Sequence, residues 1–256
     1  MRTLIAIPVY NEAHYVTGVL ERVLAQGHDV LVIDDGSTDP TPAILDTQPV
    51  FRITHPTNLG YGKSLQDAFA YANQKKYDWI ITMDCDEQHE PDAIPVFIDA
   101  ATEDTHDIIS GSRYLKPLPE DDAPPRERRG INTIITREIN ERLGDRLLTS
   151  GGNLITDAFC GFKAHRVSAM QKLSLDEDGY AFPLQLWPQV AAASLRVREI
   201  PVRLIYNDPN RSFGGELDDA NIRLAHYRHV FHCELLRFKA VLPAYAWADV
   251  RCPCCP

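Results

Sequence analysis

The chain has 256 residues, 44% of them hydrophobic and 24% charged, with 26 Lys and Arg against 36 Asp and Glu. That balance fits a globular α/β protein with ample core and excludes disorder, collagen-like repeats and coiled coil. The net charge of −10 argues against nucleic acid, whose partners carry a basic surface, but admits a small anion whose charge a metal ion or an Arg cluster offsets. No stretch approaches about 20 uninterrupted apolar residues, so no membrane-spanning helix is predicted. The chain runs straight into TLIAIPVY without a charged-then-apolar leader, so no signal peptide is expected and the expected compartment is the cytoplasm.

Through residue 115, short apolar runs alternate with helical stretches. LIAIPVY precedes an amphipathic region over 12–26. VLVIDD, a short helix, FRITH and a helix over 61–76 follow, then WIITMDCD, a helix over 92–102, and DIISGSRY. This alternation predicts βαβ units and a mostly parallel central sheet flanked by helices. The runs are nearly continuous, as in strands covered on both faces. Polar residues gather where the strands end: Asn11 and Glu12, Asp34 and Asp35, Asp84 and Asp86, Arg113. In open α/β sheets, ligands bind outside the carboxyl ends of the strands.

Residues 115–130 hold four prolines, an acidic block and then a basic one, which predicts a mobile, lid-like loop. A helix over 129–144, a Gly-rich link at Gly151 and Gly152, the β segment RVREIPVRLIY and a basic amphipathic helix over 217–239 complete the pattern. The expected organisation is one domain over 1–215, with a C-terminal helix and Cys-rich tail over 216–256 packed on it. Of six cysteines, Cys85, Cys160 and Cys233 read as reduced thiols. Cys252, Cys254 and Cys255 form one dense cluster rather than the paired sites of a zinc ribbon, and read as a frayed terminus.

DCDEQHEP at 84–91 carries the strongest chemical signal. Side chains at i and i+2 of an extended segment share a side, so Asp84 and Asp86 face one way and Cys85 the other. Such a pair suits Mg2+ or Mn2+, which one or two carboxylates hold together with substrate phosphates, and Gln88 adds an oxygen. The plain alternative is a solvated acidic turn. VLVIDDGSTD ends in two carboxylates, one of which suits a base or ribose; turn chemistry involving Ser37, Thr38 and Asp39 explains it equally well. In PVYNEA, Tyr10 offers an aromatic face to a nucleobase and Glu12 a ribose acceptor, against a core Tyr and a helix-start Glu. NLGYGKS fails as a phosphate loop because Thr57 stands where the first Gly belongs, and as a dinucleotide fingerprint because Leu65 replaces the third.

Together these strings resemble family 2 glycosyltransferases of the GT-A fold, most closely the polyprenyl- or dolichyl-phosphate mannose and glucose synthases. PVYNEA, VIDDGSTD, NLGYG, DCDEQHEP, GSRY and DAFCGFKAHR occur in the family's order and spacing over residues 3–210. The resemblance implies that Pro8, Tyr10, Glu12, Ile33 and Asp35, with Asp84, hold the nucleotide, and that Asp84, Asp86 and Gln88 bind Mg2+ or Mn2+ on the diphosphate. Arg113 and Arg128 or Arg129 would face the phosphates or acceptor, and Arg211 in NRSFGG would close the site. Two departures stand out. Glu87 would place a third carboxylate beside the metal, and Cys160 and Lys163 replace the family's commoner Ser or Thr and Arg.

The implied reaction is inverting transfer of a hexose from a nucleotide-diphospho-sugar, of GDP-mannose or UDP-glucose type, to a polyprenyl phosphate. The metal would act as Lewis acid on the leaving group and arginines would add fixed charge. A phosphate acceptor, with its second pKa about 6, is already a nucleophile at neutral pH, whereas a hydroxyl acceptor needs a base. Asp157 is the candidate base, or else caps the DAFCGF turn; with a phosphate acceptor Asp157→Asn is expected to be mild. Arg223, Arg228, Arg237 and Lys239, interleaved with Leu224, Tyr227, Phe231 and Phe238, suit either peripheral contact with the inner face of a membrane or packing on the chain's own core. The rivals are a soluble hydroxyl acceptor and a non-catalytic nucleotide-sugar binding protein; the latter would lack the metal ligands. A nucleotidyltransferase would need a Gly-rich first turn with Arg and Lys, which PVYNEA lacks.

Overall fold

The apolar runs become strands buried on both faces, each returned across the sheet by the helix after it. The computed structural model describes residues 1–119, 121–147, 152–207 and 214–251. The order is β1 (Thr3–Val9), α1 (Val16–Leu24), β2 (Asp29–Asp34), α2 (Thr41–Leu45), β3 (Phe51–Thr54), α3 (Tyr61–Gln74), β4 (Trp79–Thr82), α4 (Ile94–Thr102) and β5 (Ile108–Ser112). There follow α5 (Arg126–Leu143), β6 (Lys163–Arg166), α6 (Val167–Met170), α7 (Phe182–Ala192), β7 (Val197–Pro201) and α8 (Ala220–Arg237). The strands form one sheet in the order β3-β2-β1-β4-β6-β5-β7. All pairings are parallel except those of β6, which runs antiparallel to β4 and β5.

Three elements were not legible as such. β6 is the four-residue KAHR, whose Lys and His hide the apolar signature of a strand, and α6 is equally short. α7 is buried on every side and carries Pro188 inside it, so it shows no amphipathic stripe. Helix α5 begins at Arg126 rather than 129, directly after Pro125. The late β segment narrows to β7, and α8 starts at Ala220, where the Asp219 carboxylate accepts from the Asn221 and Ile222 N–H groups as an N-cap.

Helices α1 and α4 cover one face of the sheet, and α3 packs on the other beside a larger core shared by α5, α7 and α8. Tyr227, Phe231 and Leu235 of α8 are buried against that core, so the helix's apolar stripe is spent inside the molecule and does not form a membrane face. The C-terminal helix thus shares the core of the domain before it. Among the described residues no helix is long and apolar enough to cross a membrane. The loop before α5 is laced to the chain after β7. Asp121 accepts from the Leu204 N–H (2.9 Å), Asp122 accepts from the Tyr206 N–H (2.8 Å), and the Asp122 N–H donates to the Leu204 carbonyl (2.9 Å). These bonds replace the expected free lid. The tail cysteines lie outside the described residues.

The first turn of α3 lies against residues 177–178, where a Cβ on Gly62 would sit 2.0 Å from the Glu177 carbonyl oxygen. Gly62→Ala is therefore expected to cost about 1–3 kcal/mol of stability. The check is urea unfolding, with a lowered midpoint and an unchanged slope.

Candidate active site

A cavity of ≈ 510 Å³ opens where β1, β2, β4 and β5 end, bringing Pro8, Tyr10, Glu12, Asp35, Asp84, Asp86, Gln88, Arg113 and Arg128 into one space. At one end, Asn11 staples two loops together. It adopts a positive φ of 56°, and its Oδ1 accepts from the Thr38 and Asp39 N–H groups (2.8 and 3.2 Å). Thr41 Oγ1 accepts from the Glu12 N–H (3.0 Å), and the Asp39 carboxylate from the Ala13 N–H (3.0 Å). Tyr10 is thereby held 43% exposed on the cavity wall. The two adjacent carboxylates after β2 divide their work. Asp34 accepts from the Ser37 N–H and pairs with Arg52, as turn chemistry requires, while Asp35 lines the cavity. Ile33 is fully buried in the core with Leu4 and Ala6; its side chain does not reach the cavity.

Beyond β4, Asp84 and Asp86 line the cavity, and Cys85 between them, which also borders it, is 1% exposed and packs in the core. The segment is fixed from below. His89 Nδ1 accepts the Asp84 N–H (2.9 Å), the Asp86 carboxylate accepts the Gln88 N–H (3.1 Å), and Asn207 donates to the Asp86 carbonyl (2.8 Å). Burial lowers the His89 imidazole to about 4, so it is neutral and able to accept. Tyr61 bonds Asp84, and burial together with that carboxylate raises its hydroxyl well above the usual range. Both approach Gly161, where a Cβ would stand 2.8 Å from the Tyr61 hydroxyl and 3.0 Å from Asp84 Oδ2. Gln88 presents a buried amide nitrogen with no protein partner. Glu87 departs from expectation: at φ 60° it is exposed, and its Oε1 lies near Gly18 of α1 rather than in the cavity.

Arg113 and Asp157 form the main charged contact. Asp157, 0% exposed, accepts from Arg113 Nε (2.7 Å), Nη2 (3.0 Å) and backbone N–H (3.2 Å), from Asn132 Nδ2 (2.7 Å), and from the Phe159 N–H (3.1 Å). Burial alone would raise the carboxyl; Arg113 and Asn132 more than offset it and hold it well below the usual range. A carboxylate so occupied does not take a proton, so the reading of Asp157 as general base is corrected: it is the seat of Arg113. Arg128 lines the cavity above Tyr206 (6.0 Å), whereas Arg129, one helical step on, stacks on Tyr114 (3.5 Å) outside the lining. Arg211 lies outside the described residues.

The floor holds residues that sequence reasoning missed or gave no role. Lys163 and His165, at i and i+2 of β6, share the cavity side, while Ala164 between them packs in the core. Lys163 donates to the Cys160 carbonyl and lies 5.6 Å from the Trp187 ring; burial lowers its ammonium. His165 is 2% exposed, its Nδ1 has no hydrogen-bond partner, and burial, with Lys163 beside it, lowers its ring to about 3. Burial likewise raises the Cys160 thiol to about 11, keeping it protonated. Arg223 of α8 also reaches the cavity, bonded to Glu127 of α5 and to the Leu217 carbonyl. The polar i, i+2 pair of KAHR was the one available signal for the floor.

A family model described as Glycosyl transferase family 2 matches residues 4–174. The undecaprenyl-phosphate mannosyltransferase of Micrococcus luteus is 28% identical over 251 residues, spanning 93% of this chain and 98% of that protein. The polyprenol monophosphomannose synthase of Mycolicibacterium smegmatis is 27% identical over 239 residues, spanning 89% and 85%. Among solved structures, glucosyl-3-phosphoglycerate synthase from Mycobacterium tuberculosis superposes with a TM-score of 0.67 at 17% identity, over 94% of this chain and 81% of that one. That likeness is one of fold.

Two outcomes follow. Asp157→Asn strips the buried Arg113 of its counter-charge and is expected to cost about 3 kcal/mol or more, so the mild effect expected of this variant gives way to a structural one. Urea unfolding that matches the unaltered protein would refute the seat assigned to it. His165, held at about 3 against an ordinary value of 6.5, binds its proton more readily unfolded than folded. Its neutral state supports the fold fully above pH 6.5, and that support drains as pH falls toward 3, by about 1.4 kcal/mol per pH unit. His89, lowered to about 4, adds to the same trend. His165→Asn should flatten the stability profile between pH 6.5 and 4 by one proton; an unchanged slope would contradict it.

Proposed function

The chain belongs to glycosyltransferase family 2, and from that premise we propose that it transfers a hexose from a nucleotide-diphospho-sugar, of GDP-mannose or UDP-glucose type, to a polyprenyl phosphate. One observation carries the choice of acceptor. Arg113, Arg128 and Arg223 line the same cavity as Asp84 and Asp86, while Asp157, the candidate base for a hydroxyl acceptor, is sealed beneath Arg113. An ionised phosphate needs positioning by cations and no deprotonation. The two relatives named for polyprenyl-phosphate chemistry match along most of their length, which supports the same reading.

In this reading Tyr10 stacks on the base, and Glu12 and Asp35 accept from base or ribose. The donor set at the end of β4 fits a hard cation. Two carboxylates share one wall of the cavity, the hard-oxygen pair that such a cation takes together with substrate phosphates. Asp84 and Asp86 would hold Mg2+ or Mn2+, which when bound supplies Lewis-acid stabilisation to the departing nucleoside diphosphate. The amide nitrogen of Gln88, as placed, suits a phosphate oxygen better than a metal. Arg113, locked by Asp157, presents its charge in a fixed orientation, which stabilises charge as it develops. Ile131, Phe159, Leu186 and Tyr227 line the cavity beside the arginines and suit the first isoprene units of a lipid. Work on such an acceptor places the protein at the inner face of a membrane, by peripheral contact.

The test is transfer assayed with GDP- and UDP-sugars, with and without Mn2+, to a short-chain polyprenyl phosphate and to the matching alcohol. Transfer to the phosphate alone is expected. Transfer to a water-soluble sugar without response to the lipid would overturn the acceptor. Asp86→Ala should abolish metal-stimulated turnover while the fold persists; full activity in excess chelator would remove the metal from the reading. Arg128→Ala should raise acceptor KM or lower kcat about tenfold, the loss of one charge-assisted contact.

A further inference from the structure

We infer that His55 is a positioning residue for the nucleoside pocket, setting affinity for the donor through Asp35 without touching the donor itself. The inference rests on the reading of Asp35 given above. His55 follows β3 and is 6% exposed, and it does not line the cavity. Its Nδ1 stands 2.6 Å from Asp35 Oδ1 and its Nε2 stands 2.9 Å from Asp67 Oδ2 on α3. The other Asp67 oxygen bonds Lys63, one turn earlier on the same helix. The imidazole thus bridges a helix surface to the carboxylate that faces the cavity.

Asp35 shows what the bridge controls. Its Oδ1 accepts the Leu59 N–H (2.8 Å) and its Oδ2 accepts the Gly60 N–H (2.9 Å). A carboxylate already accepting in this way meets the ring as an acceptor again, so Nδ1 is the donor. Three of roughly four acceptor directions are then filled within the protein, which fixes the carboxylate plane and leaves one direction for a ligand. The same bonds seat the turn that opens α3. At Gly60 φ is 109° and a Cβ would meet the Asp178 carbonyl oxygen at 2.3 Å; the Lys63 N–H donates to that oxygen (3.1 Å). Asn58 and Tyr61, on either side of this turn, line the cavity. Loss of the Nδ1 contact therefore frees Asp35 to rotate and loosens the turn beneath the nucleoside, while the Arg113 seat on Asp157 shares no residue with it.

The two ends of the ring can be tested apart. Asn places an amide nitrogen near the site of Nδ1 and keeps the Asp35 contact; Gln places one near Nε2 and keeps only the Asp67 contact. Calorimetry with GDP and UDP in Mg2+ gives the reference affinity. His55→Gln should weaken nucleotide binding about tenfold and raise donor KM, with acceptor KM unmoved, as expected for one lost charge-assisted bond. His55→Asn should recover most of the affinity. Binding of neither nucleotide by the unaltered protein would overturn the functional reading and this inference with it. Reference binding that His55→Gln leaves unchanged, or equal losses in the Asn and Gln variants, would overturn the inference alone. Asp67→Asn, at a position whose side chain is 27% exposed, supplies a second route. It should weaken nucleotide binding several-fold, and unchanged affinity there overturns the proposal even if His55→Gln fails to fold.

Discussion

The site depends on a guanidinium and a carboxylate removed from water together. Burying either charge alone is prohibitive, so the pair persists because each supplies the other's counter-charge and the acceptor positions of Asp157 are filled. Asp157 receives donors from Arg113, from Asn132 of α5 and from the Phe159 backbone. The segment that carries it is aligned by Glu199 of β7, which accepts from the Thr156 N–H (2.9 Å), the Thr156 hydroxyl (2.9 Å) and the Asp157 N–H (3.2 Å). Burial raises the Glu199 carboxyl, and the Thr156 and Asp157 donors offset only part of that rise. One ion pair thus fixes β5, α5, β7 and the approach to β6 relative to one another.

This arrangement separates charge within one cavity. Carboxylates gather after β4, and guanidinium groups come from β5, α5 and α8. Arg113 and Arg223 already hold Asp157 and Glu127, so they offer an anion pre-set N–H directions more than net charge. A chain with a net charge of −10 can therefore still present fixed guanidinium N–H donors along one wall.

What the sequence made legible follows from period and position. Strands buried on both faces read as apolar runs, and polar residues at their ends had to meet at one edge. Asp34 and Asp35 were beyond that logic, because neighbouring residues face opposite ways and only the packed loops decide which meets the cavity. The same holds for Arg128 and Arg129, about 100° apart on a helix. Ile33 lies two residues before Asp35 but is turned into the core, which its apolar run alone did not reveal. The role of Asp157 was hidden by distance in the chain, since its partner lies 44 residues earlier. Lys163 and His165 sit in a strand too short and too polar to announce itself.

The reversed direction of β6 sets a rule about chain length. Parallel strands deliver residues to the ligand edge as they finish, but β6 does so as it begins, so residues 159–161 reach the cavity and the segment leading into β6 fixes the strand's phase. With side chains alternating, an insertion or deletion of one residue there would turn Lys163 and His165 into the apolar core and Ala164 toward the ligand. The span from Asp157 to Lys163 is thus constrained in count before it is constrained in composition. A substitution within it acts at one position, as at Asp157 or Gly161, whereas a change of a single residue in its length would exchange the two faces of the strand at once.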